Sequence, residues 1–364
     1  MAITSSGTIA IAGTNTSQGG TNSIQQEIGS PTYSSPFTAT ISLNDAVVRG
    51  LAGVVSGQIS FSSFYGKSQS LYQNGMFYGG QVALDYKGNF TALNVVTRID
   101  ANGALIGSET NAGTKRTWGA GAPTGGYGLF WGGGAGDGTS VNRVTRIDSS
   151  GVLVGSETNA GTNRFFLGGA GCGGNGLFHG GQLAGGSGFT NTVTRINSSG
   201  VLVGSETSAG TSRHSHAGTH SGVNAMFWNG NISTTPTWTT AITRVNSTGA
   251  LVGSETFAGS GKAGLMGGTA SSDTAVFFGG LQYINSSVGY QTQNTVTRIN
   301  TSGVLIGAET NAGTAMESGS GASSGPNAMF HRSGMTTRIN SSGTLVGAET
   351  LVGTNGFDNQ GASY

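Results

Sequence analysis

The sequence is short of charge, cysteine and proline. Asp, Glu, Lys and Arg make up 9 % of 364 residues, and 16 basic against 15 acidic side chains leave a formal charge of +1. Soluble domains average about 25 % charged residues. Without a basic field no nucleic-acid partner is expected. The single Cys172 excludes an intramolecular disulfide framework and a Cys-rich zinc site. Five prolines exclude a Pro-rich linker. No stretch approaches the roughly 20 apolar residues that span a bilayer, so no membrane insertion is expected. The opening MAITSSGTIAIAG has no basic stretch followed by a long apolar run, so no secretory leader is expected either. Catalytic patterns are missing as well. The run Gly132–Gly136 lacks the Lys-Ser/Thr of a phosphate loop. Asp85, Asp137, Asp273 and Glu317 stand alone, so no carboxylate pair suggests a glycosidase. The expectation is a protein that is not an enzyme and holds no cofactor.

What the chain has is glycine, 68 residues of it, and a long repeat. VTRIDANGALIGSETNAGT from Val96 returns as VTRIDSSGVLVGSETNAGT from Val144 and VTRINSSGVLVGSETSAGT from Val193. Further copies begin at Ile242, Val296 and Thr336. The arginines Arg98, Arg146, Arg195, Arg244, Arg298 and Arg338 mark them, spaced 48, 49, 49, 54 and 40 residues apart. Upstream of each lies an apolar-aromatic string: GMFYGGQ at Gly75, GLFWGGG at Gly128, GLFHGGQ at Gly176, AMFWNGN at Ala225, AVFFGGL at Ala275 and AMFHRSG at Ala328. A short Gly-rich run separates one unit from the next. Four short strands per unit at this period are the signature of a β-propeller blade.

Local chemistry agrees. Val96–Ile99 alternates as a strand does. Asp100-Ala101-Asn102-Gly103 predicts a turn in which the acid bonds its own backbone two residues on and Gly supplies a positive φ. The first unit lacks a Gly-rich strand before it and the last has an extra one, Asn355–Gly361, after it. This C-terminal strand is expected to complete the first blade and hide two sheet edges. The expected fold is therefore all-β: a six-bladed propeller over 70–364, closed by a C-terminal strand. The Phe-x-Gly-Gly doublets resemble those of kelch-type propellers.

Residues 1–69 carry no copy of the repeat. Ser42–Gly53 (SLNDAVVRGLAG) reads as a short capped helix, and SGQISFSSFYGKS follows from Ser56. This pairing resembles the N-terminal module of tailed-phage virion structural and tail-fibre proteins, with Ser63 where relatives often carry Asp. The resemblance implies attachment to a virus particle, with other virion proteins as partners. Phe61, Phe64 and Tyr65 form the compact apolar cluster expected to dock. So small a segment gains by packing on a partner.

Four groups of candidate residues follow. The six repeat arginines are expected to pair with Glu109, Glu157, Glu206, Glu255, Glu309 and Glu349, tying blades in register. His214, His216 and His220 have metal-ligand spacing, with the first two expected on one strand face. They occur in one blade only, so no metal is assigned. The connections after the apolar-aromatic strands differ in every unit and hold Tyr86, Phe90, Phe189, Trp238, Tyr283 and Tyr290. A fixed scaffold with variable loops is how folds host recognition, and aromatic faces beside Asn, Gln and Thr suit sugar rings. The functional expectation is a virion tail-fibre, baseplate or appendage component that displays a propeller to a host-surface glycan or serves assembly. The alternatives are a secreted lectin-like propeller and a non-binding capsid or collar decoration protein. A homo-oligomer is compatible with the sequence, but no heptad run demands one.

Overall fold

The computed structural model describes residues 74–364, apart from 84–89, 125, 136–138, 187, 222, 234–236, 263–265, 272–273, 286, 325, 355 and 357. The expected helix at 42–53, the cluster Phe61, Phe64 and Tyr65, and Tyr86 and Phe357 lie outside the described residues.

Six four-stranded antiparallel sheets follow one another. In blade 2 the strands are Ala120–Thr124, Tyr127–Trp131, Arg143–Ile147 and Thr158–Asn159, from innermost to outermost. The innermost strands of blades 3 to 6 are Gly168–Cys172, Ala217–Ser221, Met266–Ser271 and Ser320–Ser324. In blade 1 the innermost strand comes from the far end of the sequence: Gln360–Ser363 pairs with Gly75–Tyr78, matching Tyr78 to Gln360. The innermost strands pack in a closed cycle. The described residues form an all-β, six-bladed, kelch-like propeller.

The closing strand lies further along the chain than the expected Asn355–Gly361. Its register explains why. Gly361 sits opposite Phe77 as Gly121 sits opposite Phe130 and Gly169 opposite Phe178. A Cβ on Gly121, Gly169, Gly218 or Gly361 would fall within 2.6 Å of a neighbouring blade's backbone oxygen. Only a residue without a side chain fits this waist, so the glycine selects the register.

The second strands are buried along their length because both of their faces meet neighbouring blades. That is why they read as continuous apolar-aromatic strings. At each of the six junctions the last aromatic of one string packs on the ring of the next. The pairs are Tyr78–Phe130, Trp131–Phe178, His179–Phe227, Trp228–Phe277, Phe278–Phe330 and His331–Phe77, with ring centroids 4.9–5.2 Å apart. The expected turn is present. Asp100 Oδ1 accepts the N–H groups of Asn102 and Ala104 at 2.8 and 2.9 Å, and Asp148, Asn197, Asn246, Asn300 and Asn340 repeat the pattern.

The repeat charges are placed differently from expectation. Among the described residues, none of Arg98, Arg146, Arg195, Arg244, Arg298 and Arg338 forms an ion pair with a repeat glutamate. Strand geometry separates them, because neighbouring residues point to opposite faces. Thr97 Oγ donates to Glu109 Oε1 at 2.5 Å, which places the glutamate on the threonine's face and away from Arg98. Arg98 instead reaches forward to the next blade and donates to Ser149 O at 3.1 Å, as Arg338 donates to Ala101 O. The glutamates reach back to the previous blade. Glu157 accepts the N–H and hydroxyl of Thr114, Glu206 those of Thr162 and Glu349 those of Thr314. Glu255 and Glu309 accept the hydroxyls of Thr211 and Ser260. Glu109 closes the series on Thr354.

Candidate functional site

In a four-stranded blade the connections between strands two and three emerge at the same end as those leading into the next innermost strand. All the variable connections therefore share one face with the entrances of the innermost strands.

That entrance has a repeated backbone device. Trp118, Phe166, Ser215, Ser318 and Asp358 each stand two residues before an innermost strand, with φ between 53° and 61°. Bulky residues rarely adopt this left-handed region. The peptide N–H of Phe166 donates to Trp118 O, and that of Ser215 to Phe166 O, both at 2.8 Å. Asp358 donates to Ser318 O at 2.6 Å and Trp118 to Asp358 O at 3.4 Å. Among the described residues, one in each of blades 6, 1, 2, 3 and 4 thus joins a collar of peptide bonds beside the axis. The position in blade 5, Gly264, lies outside the described residues.

Inside the collar is a pocket of about 80 Å³, lined by the starts of the innermost strands, among them Gly119–Gly121, Leu167–Gly169, His216–Gly218 and Gly319–Gly321, with Asn359. Its surface is largely peptide backbone. His216 and Asn359 are 4 % and 9 % exposed, and His216 Nδ1 and Asn359 Oδ1 meet no hydrogen-bond partner. The histidine's tautomer follows from its neighbours. His179 Nε2 lies 2.9 Å from Ala209 O and must donate to it. His179 Nδ1, 3.1 Å from His216 Nε2, must then accept. His216 is left with a bare lone pair on Nδ1. Burial, above all, holds both imidazoles well below their usual range, reinforced by Arg213 at His179 and by His179 and then Arg213 at His216, so both are neutral.

An aromatic arc stands beside the collar. Trp118 and Phe166 rings are 5.1 Å apart, Phe165 and Phe166 5.0 Å, and Phe189 stacks on His214 at 4.2 Å. Asp358 Oδ2 accepts Trp118 Nε1–H at 3.1 Å and Gln81 Nε2–H at 2.8 Å, and burial pushes its carboxyl up. A second patch joins Trp238, Tyr283 and Tyr290: Trp238 and Tyr290 rings lie 5.8 Å apart, Tyr283 and Tyr290 5.3 Å. Tyr283 and Tyr290 face each other across the hairpin Leu281–Asn285/Gly289–Thr292, and each is 47 % exposed. Of the loop candidates the structure therefore unites Trp238, Tyr283 and Tyr290 across two blades. Phe189 goes to the axial arc, and Phe90 is exposed on a hairpin of blade 1.

The histidine triad does not converge. Ser215 at φ 53° interrupts the alternation, so His214 lies in the entrance loop and bonds Ser215 Oγ at 2.9 Å. His216 turns to His179, and His220 sits four residues further along, roughly 13 Å at strand rise. Among the described residues no group of three His, Cys, Asp or Glu could hold a metal ion.

Sequence reasoning passed over the buried cations. Arg116, Arg164, Arg213 and Lys262 are fully buried and share one place, three residues after the Gly of the repeated Ala-Gly-Thr/Ser. Arg164, Arg213 and Lys262 pair with Glu206, Glu255 and Glu309 at 3.3–3.4 Å. Arg164 lies over the Trp131 ring at 4.8 Å and Arg116 over Tyr78 at 5.3 Å. Met316 and Gly356 take the place in the other two units. A basic residue at one offset in four units of six was the available signal.

No protein-family model and no curated protein matches the chain. Among solved structures it is similar to the one titled "Structure of YjhT", with a TM-score of 0.55 at 13 % identity over 77 % of this chain and 95 % of the other. The likeness is one of fold. Among the described residues no helix is long and apolar enough to cross a membrane.

Proposed function

We propose that this protein is a structural component of a phage virion, in a tail fibre, baseplate or similar appendage, and that its propeller offers the loop-bearing face to a host-surface glycan. The N-terminal strings SLNDAVVRGLAG and SGQISFSSFYGKS support the virion placement through their resemblance to virion proteins. One observation carries the recognition half: half-exposed aromatics from different blades gather on a single face of a ring stapled at every junction. Rigid scaffolds that group variable loops this way suit binding, and aromatic faces suit pyranose rings. The reading includes no reaction.

Two measurements test it. Immunogold labelling of particles that contain the chain is expected to mark the tail; label spread over the capsid shell would favour the decoration reading. A glycan array probed with the full chain is expected to give saturable binding, reduced by Tyr290→Ala. Binding by a protein absent from particles would favour a secreted lectin-like role.

A further inference from the structure

We infer that the seam between blades 6 and 1 binds one small monovalent cation, of the size of potassium or ammonium, in the place that a buried side-chain cation holds in each of the four seams from blade 1 to blade 5. The inference does not depend on what the loop-bearing face contacts.

The sister seams define the cradle. Arg116 donates to Gly132 O and Arg143 O at 3.3 and 2.6 Å and to Thr145 Oγ1. Arg164 donates in the same way to Gly180 O, Thr192 O and Thr194 Oγ1, and Arg213 to Phe227 O and Thr243 Oγ1. Each of these threonines donates in turn to the repeat glutamate of its blade. In blade 1 the matching residues are Phe77, Gly79, Val95 and Thr97, and Thr97 donates to Glu109. The residue placed to send a cation among them is Gly356, which has no side chain. A cavity of about 10 Å³ lies there, and Phe77, Gly79, Val95 and Thr97 all line it together with His331 and Gly356. The seam between blades 5 and 6 differs, because Met316 fills it with a buried apolar side chain.

Size and charge select the ligand. About 10 Å³ is room for one water-sized particle. The cradle offers carbonyl and hydroxyl oxygens backed by a single carboxylate, which matches one positive charge, as in the sister seams. Thr97 is 5 % exposed, and a buried acceptor gains by receiving a partner. Lys262 shows that an ammonium group suffices: its Nζ lies 3.4 Å from Glu309 Oε1 and 5.8 Å from the centre of the Trp228 ring. His331 holds the place of that ring, and burial lowers its pKa to about 4, so the imidazole adds no competing charge. His179 stands in the same relation to Arg213 and is also neutral.

The test is thermal melting of the full chain in potassium, ammonium and tetramethylammonium chloride at equal ionic strength. Tetramethylammonium is too large for the cavity and serves as the control. The expected result is a melting temperature about 2–4 °C higher in potassium or ammonium chloride than in the control. Two variants locate the effect. Gly356→Lys supplies the cation from the chain itself; a Cβ there first meets Leu93 Cδ1 at 3.2 Å, the end of a flexible side chain. It should melt alike in all three salts. Thr97→Val removes the hydroxyl that faces the ion and should lose the salt preference as well. A crystal of the full chain soaked in rubidium chloride, a heavier stand-in for potassium, should show an anomalous peak beside Thr97 Oγ1. Equal melting of the intact chain in the three salts would overturn the inference and leave the cavity to water only. A preference that persists in both variants, or a rubidium soak without a peak at Thr97, would overturn it too.

Discussion

Glu109 accepts the backbone N–H of Thr354 at 2.8 Å together with its hydroxyl, across 245 residues of sequence. The same staple, from a carboxylate to a threonine or serine hydroxyl, joins the other blades, but its surroundings differ. At Glu206 the carboxylate also faces Arg164, whose side chain is wholly buried. Removing one partner of a buried pair costs about 3–5 kcal/mol, whereas leaving hydrogen-bonded groups unpaired costs about 1–3 kcal/mol. Glu206→Ala should therefore destabilise the ring more than Glu109→Ala. Denaturant unfolding of both variants checks the order; equal losses would mean that the buried arginine does not depend on its glutamate.

The glycines at the waist are not equivalent to those in turns. Gly169 has no room for a Cβ against the backbone oxygen of Gly121, while around Gly126, at φ +86°, nothing lies within 4 Å. Gly126→Ala should cost only its left-handed strain, about 1–2 kcal/mol. Gly169→Ala must spread two blades, and its melting temperature should fall well below that of Gly126→Ala. Matching melting curves would show that the innermost strands tolerate separation.

Acid should loosen the fold earlier than its carboxylates alone would. His331, His214 and His220 have pKa values lowered from 6.5 to about 4, chiefly by burial, and His179 and His216 lie well below 6.5. The unfolded chain binds protons at these sites from about pH 6.5 downward while the folded chain does not, so stability falls as pH drops through that window. Glu157, Glu206, Glu255, Glu309 and Glu349 add a second loss at lower pH. Burial pushes them up, but hydroxyl bonds from Thr and Ser outweigh it and hold them below 4.5. Melting temperatures measured from pH 8 to 4 should begin to fall near pH 6.5. His331→Phe, which copies Phe278 of the sister blade, should flatten the upper part of that fall.

Ser333 and Gly334 form the two-residue turn between strands two and three of blade 6, with φ 50° and 78°. Both central residues being left-handed makes it the mirror-image hairpin turn that favours Asn-Gly. Ser333→Asn should raise stability by about 0.5–1 kcal/mol, measured by thermal melting. A drop would indicate that the exposed serine hydroxyl has a role in the native turn.

Much of this architecture could be read from spacing. The copies from Val96 to Thr336 predict blades because a blade is a local unit, and the Asx turn at Asp100 depends only on its own five residues. The partners of Arg98 and Glu109 could not be read that way. Both recur at one offset, so sequence suggests they meet, yet side-chain alternation sends one forward to the next blade and the other back. The ligand candidates divide on the same ground. Tyr283 and Tyr290 oppose each other within one hairpin, but Trp238 reaches them from another blade. Trp118 and Phe166 went unnoticed because their positions are defined by a left-handed backbone, and no residue preference announces a tryptophan there.

The origin of the innermost strand of blade 1 has a consequence for biosynthesis. Gly75–Tyr78 is made long before Gln360–Ser363. While the chain is still on the ribosome, blades 2 to 5 can assemble in order, but blade 1 waits as three strands with an open inner edge. Docking Gln360–Ser363 requires closing the chain between Tyr78 and Gln360 into a loop, a contact of very high sequence separation and hence a slow one. The ring is thus completed only once Gln360–Ser363 has been made and has docked, and until then the edge beside Phe77 is the place where a nascent chain would meet a chaperone or another copy of itself.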